Sequence, residues 1–439
     1  MERLIIKDLI TWKNSPDRKP LILLGARQVG KTYILRHFGM QEYENVAYIN
    51  CDNNELVRNL FIADYDIKRV ILAIGAITGQ KIVPGKTLII FDEIQELKRG
   101  LTALKYFQEE APQYHVAVAG SLLGITMRHG ESAPVGKVDI LRMYPMTFLE
   151  FLHAIGKSQL VDILLKNDWP TISMLRGEYA KLLRQYYFVG GMPEAVKSFI
   201  KTGDTVTVRR IQQNILTVYE SDMAKHTTSN EVTRIRQVWQ SIPSQLAKEN
   251  KKFIYGAIKK GARAKDFELA IQWLQDAGLV YRIHRASEPK IPLSFYTDLS
   301  AFKLYLLDTG LHGALSNTPA AQMLVADNAM EEAKGAFTEN YVFTQLSTLP
   351  NVTLCYYSAE DSQLEIDALV QYGERVYPVE IKAEENLRSK SLRTYIGRYP
   401  NLQAIRFSMS DYREQEWLTN VPLYACLAYL STVPSQQVV

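Results

Sequence analysis

The eight residues Gly25-Ala26-Arg27-Gln28-Val29-Gly30-Lys31-Thr32 constrain this 439-residue chain more than any others. They follow four apolar residues, Leu21-Ile22-Leu23-Leu24, and precede a helical pattern, Tyr33-Ile34-Leu35-Arg36-His37-Phe38. A glycine-rich turn between a buried strand and a helix is a phosphate cradle. Gly25 and Gly30 let the backbone turn tightly, so that its N–H groups and the helix N-terminus face the phosphates. Lys31 is expected on the β- and γ-phosphates, and the Thr32 hydroxyl on Mg²⁺. ATP and Mg²⁺ are therefore the expected cofactors, with all eight residues of the turn in contact with nucleotide.

A second segment, Leu88-Ile89-Ile90-Phe91-Asp92-Glu93, ends four strand residues in two acids. The carboxyl end of a strand is where open α/β sheets bind ligands. Asp92 is expected to hold Mg²⁺, and Glu93 to orient and activate water for attack on the γ-phosphate. Taken alone, an Asp-Glu pair after a strand reads as a helix N-cap; beside a phosphate loop the catalytic reading prevails. A further strand ends in Gly120-Ser121, which makes Ser121 a candidate sensor of the γ-phosphate or the attacking water, in competition with a simple N-cap. These features resemble the AAA-type, additional-strand class of P-loop ATPases.

Residues 1 to about 155 alternate apolar β-type runs with amphipathic helices, the runs being Leu21–Leu24, Val46–Ile49, Leu88–Phe91 and Val116–Ala119. Continuous apolarity predicts strands buried on both faces, as in a parallel sheet covered by helices. Residues 156–232 read as helical, interrupted by Val189-Gly190-Gly191-Met192-Pro193. Residues 233–315 read as short helices leading into two strands, Leu279–His284 and Leu293–Thr297, and residues 320–439 as a helix followed by closely spaced strands.

The chain is 47% apolar and 22% charged, as expected of a soluble globular protein. Its net charge of +4 permits nucleic-acid binding on a local patch without arguing for it. Cys51, Cys355 and Cys426 lack metal-ligand spacing, which excludes a zinc site or disulfide framework as the organising feature. With no apolar signal core at Met1-Glu2-Arg3-Leu4 and no run long enough to cross a bilayer, a cytoplasmic protein without membrane contact is expected.

Further segments occur in order, among them Thr87–Gln95, Ala119–Gly124, Pro134–Val138, Tyr144–Phe151, Gly190–Glu194 and Ile242–Leu246. With these the chain resembles the prokaryotic AAA-type ATP-binding proteins whose C-terminal domain is of unknown function. The resemblance implies a P-loop ATPase domain at 1–155, a helical lid at 156–232, a winged helix at 233–315 and a restriction-endonuclease-like domain at 320–439. AAA-type ATPases usually complete their site with an arginine from a neighbouring subunit. Arg128 or Arg142 is the candidate, which would make the protein a homo-oligomer.

In the middle region Phe267, Ala270, Ile271 and Leu274 make one apolar helix face, flanked by Lys248, Lys251, Lys252, Lys259, Lys260, Arg263 and Lys265. A winged helix with this charge is a candidate DNA-binding module, against the plainer reading of a solvated helix face. At the C-terminal end, Glu339 shares a helix face with Ala336, Phe343 and Leu346, a costly place for an acid with nothing to serve. Period-two alternation sets Glu365 and Asp367 on one strand face, and Glu380 and Lys382 on one face of the next. The spacing is similar to that of the PD-(D/E)xK nuclease motif. It implies Asp367 and Glu380 as Mg²⁺ ligands, Glu339 in support and Lys382 as the catalytic cation that positions the water or stabilises developing charge. The plainer reading of a Glu-x-Lys pair is an exposed ion pair of little consequence.

Overall fold

The computed structural model describes the chain except residues 53, 63, 122, 126–135, 226–228, 249, 325–330, 360–363, 385–388 and 434–439, and the side chains of 225 and 331–333. It divides into two compact units. The first comprises Glu2–Tyr144 with Asp276–Leu279; the second comprises Met1, Pro145–Gln275 and Val280–Val439.

The first unit is built on five strands, β1 (Leu21–Leu24), β2 (Asn45–Asn50), β3 (Thr87–Asp92), β4 (His115–Ala119) and β5 (Asp139–Arg142). They pair in the order β2-β3-β4-β1-β5, all parallel. Every residue of β1, β3 and β4 is buried, which is why these segments read as unbroken apolar runs. The edge strands differ: β2 is only partly buried, and β5 carries less apolar signal still. As an edge strand it alternates half-buried and exposed positions, so it carries no continuous apolar signal. The insertion of β4 between β1 and β3 is the additional-strand arrangement that the two motifs imply. Helices cover the sheet: Lys31–Glu42 buries Ile34, Leu35 and Phe38, while Ile67–Thr78 starts where the Asp66 side chain accepts from the Lys68 and Arg69 N–H groups.

The second unit holds a mixed sheet of eight strands: β6 (Val280–Ala286), β7 (Thr297–Leu306), β8 (Thr353–Ser358), β9 (Glu365–Tyr372), β10 (Arg375–Ile381), β11 (Ala404–Ser408), β12 (Arg413–Glu414) and β13 (Leu418–Pro422). Their order is β12-β13-β11-β10-β9-β8-β6-β7. The β6–β7 hairpin follows the helix Ala264–Asp276, as a wing would. However, β6 also pairs in parallel with β8 through His284 and Arg285, so the hairpin is the margin of the larger sheet. The sheet therefore runs across the expected boundary near 315–320; an unpaired edge of β8 would expose its backbone polar groups. Leu293–Tyr296, expected as strand, is a 3₁₀ turn leading into β7. The helices of 156–232 belong to this unit too: Tyr179 stacks on Tyr424 at 4.8 Å and Trp169 on Tyr412 at 4.1 Å. Among the described residues no helix is long and apolar enough to cross a membrane.

Candidate nucleotide site and the C-terminal carboxylates

The phosphate loop joins β1 to the helix Lys31–Glu42. Gly25 adopts φ +148°, and a Cβ there would stand 2.2 Å from the Met143 carbonyl oxygen, so only glycine fits this close approach. Ala26 and Val29 are buried, Arg27 is half-buried, Gln28 is exposed at φ +66°, and Gly30 precedes the helix. Lys31 is buried and its ammonium donates to the Gly25 and Ala26 carbonyls, each at 2.8 Å. Burial pulls its pKa down to about 8, against the opposing pull of the Glu93 and Asp92 charges.

Asp92 ends β3, and its Oδ2 accepts from the Thr32 hydroxyl at 2.7 Å and from the Tyr48 hydroxyl at 2.9 Å. A hydroxyl and a carboxylate side by side at the head of a helix are the donor set that suits Mg²⁺. The next residue, Glu93, stands at φ +54°, a left-handed conformation costing a non-glycine residue about 1 kcal/mol or more. Its Oε2 accepts from the Ser121 N–H at 2.8 Å, the Ser121 hydroxyl at 3.1 Å and Gln95 Nε2 at 2.5 Å. A Cβ at Gly120 would lie 2.1 Å from Gln95 Oε1, so the glycine before Ser121 makes room for this contact.

The sequence-derived residues of the two motifs are thus neighbours: Lys31 beside the loop carbonyls, Thr32 on Asp92, and Ser121 on Glu93. Three participants carried no sequence signal. Tyr48 shares Asp92, Gln95 shares Glu93, and Arg3, which is buried, donates to the Val29 carbonyl at 2.9 Å and the Tyr144 carbonyl at 2.6 Å. Arg3 braces the loop from a segment 26 residues away, and only tertiary structure reveals it. Of the two candidate arginine fingers, Arg142 is exposed at the end of β5, and Arg128 lies outside the described residues.

The carboxylates of the second unit are arranged differently from the expectation. The antiparallel register of β9 and β10 pairs Val379 with Ala368, and continuing it by one residue sets Asp367 opposite Glu380. Asp367 Oδ2 accepts from the Ile381 N–H at 2.7 Å. Lys382 forms an ion pair with Glu380 Oε1 at 3.0 Å, while the buried Glu380 Oε2 has no hydrogen-bond partner among the described residues. Glu339 is buried, but its carboxylate is engaged: Lys251 contacts Oε1 at 2.5 Å and the Tyr305 hydroxyl donates to Oε2 at 2.7 Å. Lys303, wholly buried on β7, donates to Glu365 Oε1 at 2.7 Å and lies 3.9 Å from Glu339 Oε2. Burial raises the Asp367 pKa to about 7, reinforced by the charge of Glu339 and opposed by Lys303. Among the described residues no three acid, histidine or cysteine side chains come together so as to hold a metal ion. The anticipated grouping of Glu339, Asp367 and Glu380 is therefore not formed: ammonium groups and a tyrosine hydroxyl hold Glu339. Of the basic cluster, Lys248, Lys259, Lys260, Arg263 and Lys265 are exposed, whereas Lys251 is committed to Glu339.

A parallel sheet in the order β2-β3-β4-β1-β5, with the phosphate loop after β1 and the acids after β3, defines a P-loop nucleotide-binding domain. Residues 17–152 match the family described as AAA domain, so the first unit carries an AAA-type ATPase domain. Residues 180–322 and 334–426 match two families described as domains of unknown function, DUF8612 and DUF4143, which divide the eight-stranded sheet between β7 and β8. No curated protein matches the chain. Among solved structures, the Walker-type ATPase paby2304 of Pyrococcus abyssi is similar at 14% identity and a TM-score of 0.47, over 72% of this chain and 95% of that one. The Aeropyrum pernix ORC1 protein, solved in complex with DNA, is similar at 14% identity and a TM-score of 0.27, over 73% of this chain and 92% of that one. The ADP form of the Aeropyrum pernix ORC2 protein matches at 13% identity and a TM-score of 0.30, over 77% and 93%. The class rests on the sheet order, the site and the match over 17–152, not on these structures.

Proposed function

We propose that the first unit binds MgATP and hydrolyses it, and that this turnover serves the handling of nucleic acid by the protein. The observation that carries the ATP reading is the 2.7 Å hydrogen bond from Thr32 Oγ1 to Asp92 Oδ2, with the buried Lys31 adjoining. Lys31 exchanges its two loop carbonyls for the β- and γ-phosphates. Bound Mg²⁺ supplies charge neutralisation across those phosphates when held by Thr32 and Asp92. Glu93 takes the proton of the attacking water, and Ser121 with Gln95 fixes the carboxylate that does so. Arg142 is exposed, as a residue reaching into a neighbouring subunit's site must be, which supports a homo-oligomer. The test is phosphate release from ATP with Mg²⁺ by the wild type and Lys31→Ala. Equal rates would overturn the reading.

Nucleic-acid handling is supported by the exposed cations Lys248, Lys259, Lys260, Arg263 and Lys265 around the helix Ala264–Asp276, which suit phosphate contacts. A second reading is a nucleotide-controlled switch whose nuclease-like C-terminal part binds partners without cutting DNA. It is favoured by the lack of a three-ligand metal group among the described residues. Plasmid cleavage with Mg²⁺ or Mn²⁺, compared between the wild type and Lys382→Ala, separates the two. Cleavage lost with Lys382 establishes a nuclease.

A further inference from the structure

The nuclease-like strands imply a divalent cation, and several of the carboxylate oxygens that such a cation would need already have other partners, although the buried Glu380 Oε2 has none among the described residues. Mg²⁺ requires a near-octahedral shell of oxygens at short range. Here each oxygen of Glu339 has a proton donor, from Lys251 on one side and Tyr305 on the other. Glu365 Oε1 accepts from Lys303, and Asp367 Oδ2 from the Ile381 N–H. A dication brought among these carboxylates would stand against the buried ammonium of Lys303, in surroundings that screen repulsion poorly.

We propose that Lys303 and Lys251 are built-in cations of the C-terminal carboxylate cluster, taking the place of the divalent metal, so that this part of the protein needs no metal to fold or to bind. The inference rests on reading the C-terminal strands as nuclease-like, and it deepens the second of the two functional readings.

Two observations support it. First, Lys303 is 1% exposed, and a buried ammonium persists only with partners. Its ammonium also lies over the Tyr356 ring, 4.8 Å from the centroid. Second, acids surround that ammonium: it donates to Glu365 Oε1 at 2.7 Å and lies 3.9 Å from Glu339 Oε2. Two ammonium groups thus meet two carboxylates, Lys251 on Glu339 and Lys303 on Glu365. The lone lysine in the apolar strand Ala301-Phe302-Lys303-Leu304-Tyr305-Leu306 has no other acid partner among its described contacts.

The experiment is Mn²⁺ binding to the full-length, nucleotide-free protein, followed by the loss of the free-Mn²⁺ electron paramagnetic resonance signal. An Asp92→Asn background silences the nucleotide site, so a failure of the ATP reading leaves this measurement intact. We expect no Mn²⁺ bound up to about 1 mM, well above the micromolar range of dedicated sites. Adding Lys251→Met, at a partly accessible position that the fold tolerates more readily than Lys303, should create one Mn²⁺ site, and adding Glu339→Gln should abolish it. Mn²⁺ bound by the Asp92→Asn protein and lost on Asp367→Asn would overturn the proposal. So would a folded Lys251→Met protein, verified by circular dichroism, that gains no Mn²⁺.

Discussion

Ser121 grips Glu93 twice, through its backbone N–H at 2.8 Å and its hydroxyl at 3.1 Å, both on Oε2. The candidate base follows β3, two strands from β1 and its phosphate loop, and is therefore steered by the end of β4, which lies between them. Glu93→Gln should bind ATP within a few-fold of the wild type and turn it over at least ~100-fold more slowly, the usual scale for loss of a general base. Ser121→Ala keeps the N–H contact and loses only the hydroxyl, so its defect should be about tenfold in turnover with binding unchanged. Fluorescent-nucleotide titration and phosphate release measure the two quantities separately. Normal hydrolysis by Glu93→Gln would remove Glu93 from the mechanism.

Arg3 holds the Val29 and Tyr144 carbonyls from the opposite side of the loop. Hydrogen bonds from a charged donor are worth roughly 1.5–3 kcal/mol when one partner is deleted. Arg3→Met should therefore lower the stability of the first unit measurably in urea and weaken ATP binding, since the loop loses its brace. Arg3→Lys reaches one carbonyl at a time and should fall between. An Arg3→Met protein with unchanged melting and unchanged ATP affinity would mean that the loop holds its own shape.

The motifs of the nucleotide site were legible because a phosphate loop and its acids are local, each spelled by consecutive residues after an apolar run. β1, β3 and β4 were legible for the same reason, being buried on both faces, whereas β2 is only partly buried. What stayed hidden was long-range. β5 alternates at the sheet edge, Tyr48 and Gln95 look like ordinary strand and turn residues, and Arg3 acts across 26 positions. The hairpin of β9 and β10 was legible from its alternating pattern, and its register, continued by one residue, sets Asp367 opposite Glu380. Sequence could not say that Lys303 and Lys251, one from the region expected as a winged helix and beyond its expected strands, the other from the basic run, would fold onto Glu339. Nor could it say that β6 would pair with β8 and merge two expected domains into one sheet.

Lys31 gives a pH signature. In the free protein its pKa is about 8, because burial disfavours the ammonium. A triphosphate beside it must raise that value. Below about pH 8 the lysine is already charged and ATP affinity should be flat. Above it, binding requires proton uptake, so the dissociation constant should rise by up to about tenfold per pH unit until the bound-state pKa is passed. Isothermal titration in buffers of different ionisation enthalpy reads the proton directly. Proton release on binding, or none at pH 9, would contradict the assignment of Lys31 to the phosphates.

His115 makes the opposite case, a group whose neutral form is required. It is buried at the start of β4, where its Nδ1 pairs with the Tyr43 hydroxyl at 2.7 Å and Trp12 meets its ring edge-on. Burial, with Arg18 and Lys13 nearby, lowers its pKa from 6.5 to about 4. The unfolded chain therefore takes up a proton that the folded chain refuses. The resulting stabilisation is complete above pH 6.5 and is lost as the pH falls from 6.5 towards 4. His115→Gln, which keeps a hydrogen-bonding group for Tyr43 without titrating, should flatten that acid limb. A ring-proton titration by nuclear magnetic resonance should put the midpoint of His115 well below that of an exposed histidine. A midpoint near 6.5 would mean that β4 admits a charged ring, and the acid sensitivity of the fold would have to originate elsewhere.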